Sequence, residues 1–325
     1  MPRKILKNFL NKRFFIHQFS LRMEHNYIMI KIQIPATSAN LGAGFDALGL
    51  ALSYYNYVNI EEADGLHIKS LDNTHVPEDE SNLVYDSAKT LFEICGRPFH
   101  GLNIEQINNI PMARGLGSSS ACIIAGLVGA NTLMGNPLGL DDLVNLSAQM
   151  EGHPDNTAPA LLGGIVTAVF DGRCVHWVKQ EVFTTLKFVV VIPDFELKTE
   201  KARACLPKEI SHKDAVYNLS RAALFSASLL TGKYENLRTA VHDRLHQPYR
   251  MELIPHGRDV FDTAYSLGAY AAYLSGAGPS LMAIVDGNNE YFCGKMKFAL
   301  EKMGLSSWQV HELHIDNNGT TATLE

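Results

Sequence analysis

The sequence lacks the features that mark several large classes of protein. No apolar run approaches the ~20 residues that a membrane-spanning helix needs. The net charge is −6, so there is no basic footprint for nucleic acid. The five cysteines are scattered and form no CxxC pair or metal-ligand spacing, which favours a reduced, cytoplasmic setting. We therefore expect a cytoplasmic globular protein with no nucleic-acid or membrane partner.

The basic leader at residues 1–28 lacks a clean apolar segment and a small-residue cleavage site, the two marks of a signal peptide. We expect either a disordered extension or a start codon assigned too far upstream, with Met29 as the true beginning.

The chain is long enough for two domains or one large α/β unit, with 325 residues, of which 46% are hydrophobic. Strand and helix patterns alternate without a regular βαβ period, so an α+β fold is favoured. The alternating segment 29–35 predicts a first strand that ends at Pro35, and Asp171-Gly172 predicts a hairpin turn. A charged stretch near 179–186 predicts a domain boundary.

A glycine-rich loop, PMARGLGSSSA at 111–121, precedes a segment that is apolar or small on all sides. Gly115 and Gly117 remove the Cβ atoms that would keep a ligand from the backbone. Ser118 or Ser119 is expected to cap the following helix, which we expect to be buried on every face. The first turn of a helix binds anions readily, above all phosphate, and serine hydroxyls beside it can ligate Mg²⁺.

Two common nucleotide-binding loops do not fit this stretch. A Walker A loop needs a lysine after its last glycine, and none follows Gly117. A Rossmann fingerprint needs a further glycine near Ser120 and an acidic residue at the end of the next strand, whereas a turn and a helix start, GNPLGLDD, follow here. A bare glycine-capped turn before a core helix is the remaining alternative, but three serines at a buried helix start are poor choices for packing alone.

The loop resembles the phosphate loop of the GHMP kinases, the group that comprises galactokinase, homoserine kinase, mevalonate kinase and phosphomevalonate kinase. PATSANLGAGFDALGLAL at 35–52 is similar to the N-terminal motif of the homoserine branch, with Ala43 in place of the usual proline. LSGAGPSLMAI at 274–284 resembles the third, glycine-rich motif of the family. The three motifs occur in the expected order and span 35–284, nearly the whole chain after Met29.

The resemblance implies a two-domain α+β fold with an active site in the cleft between the domains. We expect an ATP-binding domain over 29–184 that is similar to the second domain of ribosomal protein S5, and a ferredoxin-like domain over 185–325. Many relatives are homodimers, so a homodimer is also expected, although no stretch of the sequence identifies its interface.

The resemblance also implies the residues that bind ATP and Mg²⁺. Asn82 matches a position that contacts adenine, and Ser119 and Glu151 match the ligands of Mg²⁺. The phosphate loop is expected to bind the triphosphate through its backbone, which assigns to it Pro111, Met112, Ala113, Arg114, Gly115, Leu116, Gly117, Ser118, Ser119, Ser120 and Ala121.

For the substrate, L-homoserine, a site needs a cation for the carboxylate and an anion for the ammonium. Spacing alone does not choose among the arginines. The resemblance picks Arg203 and Arg250, together with Asn40, Asp46, Thr199 and Gly276. His153 could line the same pocket or serve only as a structural histidine. Asp46, Ser119 and Glu151 are the predicted catalytic residues. The first motif lacks the lysine of mevalonate-type relatives, so whether Asp46 acts as a base or only binds the substrate is left open.

The leading prediction is an ATP- and Mg²⁺-dependent kinase that converts L-homoserine to O-phospho-L-homoserine in threonine biosynthesis. A GHMP kinase for another small alcohol is the second hypothesis. A GHMP-fold protein that binds nucleotide without catalysis is the third.

Overall fold

The computed structural model describes residues 28–182 and 185–325. Within this part of the chain, eleven strands form two mixed or antiparallel sheets. The first sheet contains β1 (Ile30–Ala39), β2 (Leu48–Glu62), β3 (Gly65–Ser70), β4 (Gly101–Ile107), β5 (Ile165–Phe170), β6 (Val175–Gln180) and β11 (Thr321–Leu324). Its strands lie in the order β11-β1-β2-β4-β3, and the hairpin β5–β6 joins through β2. Only the β3–β4 pair is parallel among these ladders.

The second sheet is antiparallel, with strands in the order β10-β7-β9-β8. It contains β7 (Lys187–Ile192), β8 (Ala271–Leu274), β9 (Leu281–Val285) and β10 (Gln309–Leu313). Helical segments separate β7 from β8 and β9 from β10, which is the βαββαβ arrangement of a ferredoxin-like domain. The predicted α+β class is therefore confirmed.

Helices lie between the strands in the sequence. They are α1 (Leu83–Cys95), α2 (Ser118–Leu133), α3 (Leu140–Glu151), α4 (Pro154–Leu162), α5 (Thr199–Ala204), α6 (His212–Thr231), α7 (Leu237–Ala240), α8 (Gln247–Met251), α9 (Gly257–Ser266) and α10 (Phe292–Lys302). Helices α2 and α4 pack against β1 and β2, while α9 and α10 pack against the second sheet. No described helix is long and apolar enough to cross a membrane.

Strand β7 connects the two hydrophobic cores. Its sequence, KFVVVI, is apolar without alternation, as expected for a strand with both faces buried. Phe188, Val190 and Ile192 belong to the core of the first sheet, whereas Val189 and Val191 belong to the core of the second. The two sheets are thus joined by apolar burial as well as by loops.

The predicted boundaries differ from the structure at two positions and agree with it at a third. Pro35 does not end β1, because a register shift between Pro35 and Ala36 accommodates the missing amide donor and the strand continues to Ala39. Neither Ser118 nor Ser119 caps α2, since Gly117, with a φ of 72°, occupies the N-cap position. The hairpin turn predicted at Asp171-Gly172 is confirmed between β5 and β6.

The domain division at 184/185 stays a prediction. One strand beyond this division pairs with the sheet that precedes it. The final strand β11, within the predicted second domain, pairs with β1 of the first sheet, for example Ile30 with Leu324. The predicted extension at 1–28 falls almost wholly outside the described residues.

Helix α2 is buried as expected and approaches α1 very closely at Gly126. A Cβ on Gly126 would lie 2.2 Å from the carbonyl oxygen of Val84 and 2.8 Å from Cβ of Ser87. The contact with a backbone atom leaves little room to relax, so the two helices need glycine at this position.

We expect Gly126→Ala to lower the free energy of unfolding by about 1–3 kcal/mol, because the added methyl overpacks the α1–α2 contact. Gly294→Ala is the matched control, since Gly294 lies in α10 and a Cβ added there would have no atom within 4 Å. That substitution should raise the free energy of unfolding by roughly 0.5–1 kcal/mol through helix propensity. Denaturant unfolding of both variants checks the pair, and shifts of the same sign would contradict this account.

Candidate active site

The phosphate loop requires glycine at two positions where it meets other parts of the chain. Gly115 and Gly117 have φ values of 73° and 72°, in the left-handed region. A Cβ on Gly115 would lie 2.3 Å from the carbonyl oxygen of Ser275, and one on Gly117 would lie 2.0 Å from Oγ1 of Thr37. The loop leads directly into the N-terminus of α2. Unpaired N–H groups and the helix dipole favour an anion there.

Segments that directly follow two strands of the second sheet hold this loop in place. The Leu197 N–H donates to the carbonyl of Ala113 at 3.0 Å, and the Ser275 hydroxyl donates to that of Gly115 at 2.7 Å. The guanidinium of Arg114 donates to the carbonyls of Pro193 and Asp194, both at 3.1 Å. Arg114 therefore fixes the junction of the two sheets, in addition to lining the pocket.

Ser119 and Glu151 place a hydroxyl and a carboxylate side by side next to the loop. Ser119 lies in the first turn of α2, and Glu151 is the last residue of α3. The Ser119 hydroxyl donates to Oε2 of Glu151 at 3.0 Å. Hydroxyl and carboxylate oxygens are the hard donors that Mg²⁺ prefers, so the residues present fit this ion.

Asp46 and Arg203 form a bidentate ion pair on the other side of the pocket. The two guanidinium nitrogens donate to the two carboxylate oxygens at 2.8 and 3.1 Å. Asn40 orients this pair, because its Oδ1 accepts from the Asp46 N–H at 3.0 Å and its Nδ2 donates to the Gly276 carbonyl at 2.9 Å. Burial acts to lower the pKa of Arg203, but the hydrogen bonds and charge of Asp46 outweigh it and raise that pKa.

Arg250 places a second positive charge in the same pocket, although its side chain is only 1% exposed. Its guanidinium donates to the carbonyls of Ala202 and Gly276 at 3.1 and 3.0 Å. It also lies over the Phe45 ring, 5.2 Å from the centroid, and Arg203 lies 5.7 Å from the same centroid. Burial, and then the charge of Arg203, lower the pKa of Arg250.

His153 and the start of α4 complete the pocket wall. His153 Nδ1 lies 2.5 Å from Oδ1 of the buried Asp155. Burial acts to lower the pKa of His153, but the hydrogen bond and charge of Asp155 raise it overall. Asn156 accepts a hydrogen bond from the Thr37 hydroxyl at 2.8 Å, and so ties α4 to β1.

The structure brings most of the predicted residues into one pocket. Those that line it are Asn40, Asp46, Ala113, Arg114, Gly115, Gly117, Ser118, Ser119, Glu151, His153, Thr199, Arg203, Arg250 and Gly276. Sequence reasoning missed Asp155, Asn156 and Ala277, which also line it. Asp155 and Asn156 directly follow EGHP, so their closeness in sequence to Glu151 could have indicated that they line the same pocket.

The other predicted residues do not line this pocket: Asn82, Pro111, Met112, Leu116, Ser120 and Ala121. Leu116, Ser120 and Ala121 are buried in the core behind the loop. Asn82 is 3% exposed, and its side chain is engaged within the protein. The amide oxygen caps α1 by accepting from the Val84 N–H, and the amide nitrogen donates to Pro77 O and Gln106 Oε1, both at 2.9 Å. The N-cap of α1 is thus Asn82.

Known proteins share both the sequence and the fold. The family model of the GHMP kinases N terminal domain matches residues 82–164, and that of the GHMP kinases C terminal matches 225–291. A homoserine kinase from Caldicellulosiruptor bescii is 49% identical over 90% of this chain and 96% of its own length. One from Clostridium beijerinckii is 48% identical over 90% of this chain and 98% of its own length.

A solved structure agrees with these relatives. The crystal structure of homoserine kinase from Cytophaga hutchinsonii is 30% identical, with a TM-score of 0.83 over 94% of this chain and 100% of its own. The match thus extends across both sheets and the pocket between them. The chain belongs to the homoserine kinase branch of the GHMP kinase family.

Proposed function

We propose that this chain transfers the γ-phosphoryl group of ATP to the hydroxyl of L-homoserine and forms O-phospho-L-homoserine, a step of threonine biosynthesis. The observation that carries the proposal is one pocket in which a phosphate-binding helix N-terminus faces two arginines and an aspartate. Relatives named homoserine kinase at 48–49% identity support the same reaction.

The charges of the pocket match an amino-acid substrate. L-homoserine carries a carboxylate and an ammonium next to each other, with a primary hydroxyl two methylenes away. Arg203 and Arg250 would bind the carboxylate, and Asp46 would bind the ammonium, so the substrate would exchange partners with the existing Asp46–Arg203 pair. A neutral alcohol such as galactose offers no partner for either charge, so the pocket disfavours a neutral alcohol as the substrate.

The phosphate loop and the Ser119–Glu151 pair would bind Mg-ATP. Backbone N–H groups at the start of α2 would bind the phosphate oxygens, with Gly115 and Gly117 allowing the close approach. Ser119 and Glu151 would hold Mg²⁺, which when bound neutralises the charge of the transferring phosphoryl group.

Alignment of the two substrates, and not a strong base, accounts best for catalysis in this pocket. Each carboxylate that lines it already has a partner: Asp46 accepts from Arg203, Glu151 accepts from Ser119, and Asp155 pairs with His153. Phosphoryl transfer depends mainly on positioning and charge neutralisation, so this arrangement is sufficient for the reaction. Asp46 is therefore proposed as a substrate-binding residue first.

Two further expectations stay predictions. The cytoplasmic location follows from the scattered cysteines and the biosynthetic reaction, and the homodimer follows from the family resemblance.

A coupled ADP-release assay tests the proposed reaction, with Mg-ATP and L-homoserine beside L-serine, L-threonine, mevalonate and galactose. We expect saturable release with L-homoserine and much weaker release with the others. Faster release with another alcohol would support the second hypothesis, a GHMP kinase for a different small alcohol. ATP binding without release for any alcohol would favour the non-catalytic one.

Glu151→Gln should reduce kcat by about 100-fold or more, because metal-based charge stabilisation contributes several kcal/mol to such reactions. The Mg²⁺ concentration for half-maximal rate should rise as well. Glu93→Gln is the control, since Glu93 is exposed on α1 and does not line the pocket. Steady-state kinetics over a Mg²⁺ series measure both, and an unchanged kcat in Glu151→Gln would remove this residue from the reaction.

Arg203→Lys keeps the charge but loses the bidentate geometry, so we expect the KM for L-homoserine to rise about 10- to 100-fold with the KM for ATP unchanged. Arg244→Lys is a closely matched control. Arg244 pairs with Asp214 at 2.8 Å, the same distance as in the Arg203–Asp46 pair. The side chains of Arg244 and Asp214 are 40% and 34% exposed, and those of Arg203 and Asp46 are 37% and 35% exposed. Arg244 lies outside the pocket. Equal effects of the two substitutions on KM would contradict the assigned role.

A further inference from the structure

A second group of chemically active side chains lies on the turn of the β5–β6 hairpin, in the sequence DGRCVH at 171–176. Sulfur of Cys174 lies 3.5 Å from Nε2 of His176 and 3.7 Å from Oδ2 of Asp171. The same two nitrogen and oxygen atoms lie 3.1 Å apart. Three different ligand types thus converge on one point at the surface, and none of them lines the pocket described above.

These three distances match the edges of a tetrahedral zinc site. Zinc lies about 2.3 Å from a cysteine sulfur and about 2.0–2.2 Å from histidine nitrogen or carboxylate oxygen, so tetrahedral edges are about 3.5–3.6 Å to sulfur and about 3.4 Å between nitrogen and oxygen. Each observed distance lies within about 0.3 Å of its expected edge. We infer that Asp171, Cys174 and His176 bind a zinc-type divalent cation, with a water molecule as the fourth ligand.

The hairpin fixes the three ligands before any ion binds. Oδ1 of Asp171 accepts from the N–H groups of Arg173 and Cys174, both at 2.8 Å, which leaves Oδ2 directed at the other two ligands. His176 lies in β6, paired with Val169 of β5. Because few side-chain torsions remain to be ordered, binding costs less conformational entropy than at a flexible loop.

The chemistry of the ligands selects the class of ion. Asp171 offers a carboxylate oxygen, Cys174 a sulfur and His176 an imidazole nitrogen. A cysteine sulfur and an imidazole favour zinc, cobalt or copper over Mg²⁺, which prefers oxygen ligands alone. The Mg²⁺ proposed at Ser119 and Glu151 would therefore not compete for this site.

Solvent can reach the three proposed ligands. The side chains of His176 and Asp171 are 68% and 42% exposed, and Cys174 is half-buried. The open side leaves a coordination position for water. The spacing D-x-x-C-x-H lies outside the common metal-binding motifs, so only the turn, which brings the three side chains together, points to it.

Titration of the metal-free full-length chain with Co²⁺, a spectroscopic probe for zinc sites, tests the inference. We expect a thiolate-to-cobalt charge-transfer band that saturates at one equivalent, that Zn²⁺ abolishes and that excess Mg²⁺ leaves unchanged. Cys174→Ser should abolish the band. His176→Gln should weaken Co²⁺ binding by about 10- to 100-fold or more, since even loss of an outer-shell partner has an effect of that size.

Two controls separate this site from others. Cys293→Ser should retain the full band, because this partly buried cysteine lies on α10, outside the cluster. Glu151→Gln should retain it too, which distinguishes the cluster from the kinase pocket. A further measurement needs no substitution: mass spectrometry follows the alkylation of each cysteine by iodoacetamide. Zn²⁺ should slow the alkylation of Cys174 and leave the alkylation rate of Cys293 unchanged. A missing band, a band that persists in Cys174→Ser, or an alkylation rate that Zn²⁺ does not change would overturn the inference.

Discussion

The close packing of three glycine-containing loops at the junction of the two sheets is the constraint on which the site depends. Gly276 N–H donates to the carbonyl of Ala39 at 3.1 Å, and the hydroxyls of Ser38 and Ser275 lie 2.8 Å apart. A Cβ on Gly42 would lie 2.5 Å from backbone atoms of Val241, so the first motif is equally close to the second half of the chain. Because backbone meets backbone, small shifts in either sheet would alter the pocket directly.

This packing explains how a pocket with several charges is stable before it binds anything. Arg250 is buried, but two carbonyl oxygens accept from its guanidinium, and the Phe45 ring lies beneath it. Arg203 and Asp46 neutralise each other in a bidentate pair. Burial of charge is costly unless hydrogen bonds or counter-charges accompany it, and each of these groups has such partners. The same groups offer a zwitterionic ligand the partners that it needs.

Sequence reasoning located the chemistry better than it located the local structure. All seven residues predicted to bind the substrate line the pocket. Three of them lie in the glycine-rich motifs, whereas the arginines were chosen by the family resemblance that those motifs carry. Asn82 was a harder case, since the same amide could cap a helix or contact a ligand. The structure shows the cap, in which its Oδ1 accepts from the Val84 N–H. The predicted end of β1 at Pro35 was wrong, because the register shift that lets the strand continue arises from the pairing of β1 with β2.

The sequence by itself determined the fold class, the three loops and the residue types at the site, because each rests on local patterns of glycine, polarity and apolar spacing. Only the tertiary structure decided which charges pair, that Asp155 and Asn156 join the pocket, and that β11 returns to the first sheet. It also brought Asp171, Cys174 and His176 to one point on a hairpin. Contacts between distant segments depend on register and packing, which the local pattern of a chain does not encode, and the cluster on the hairpin depends on the conformation of its turn.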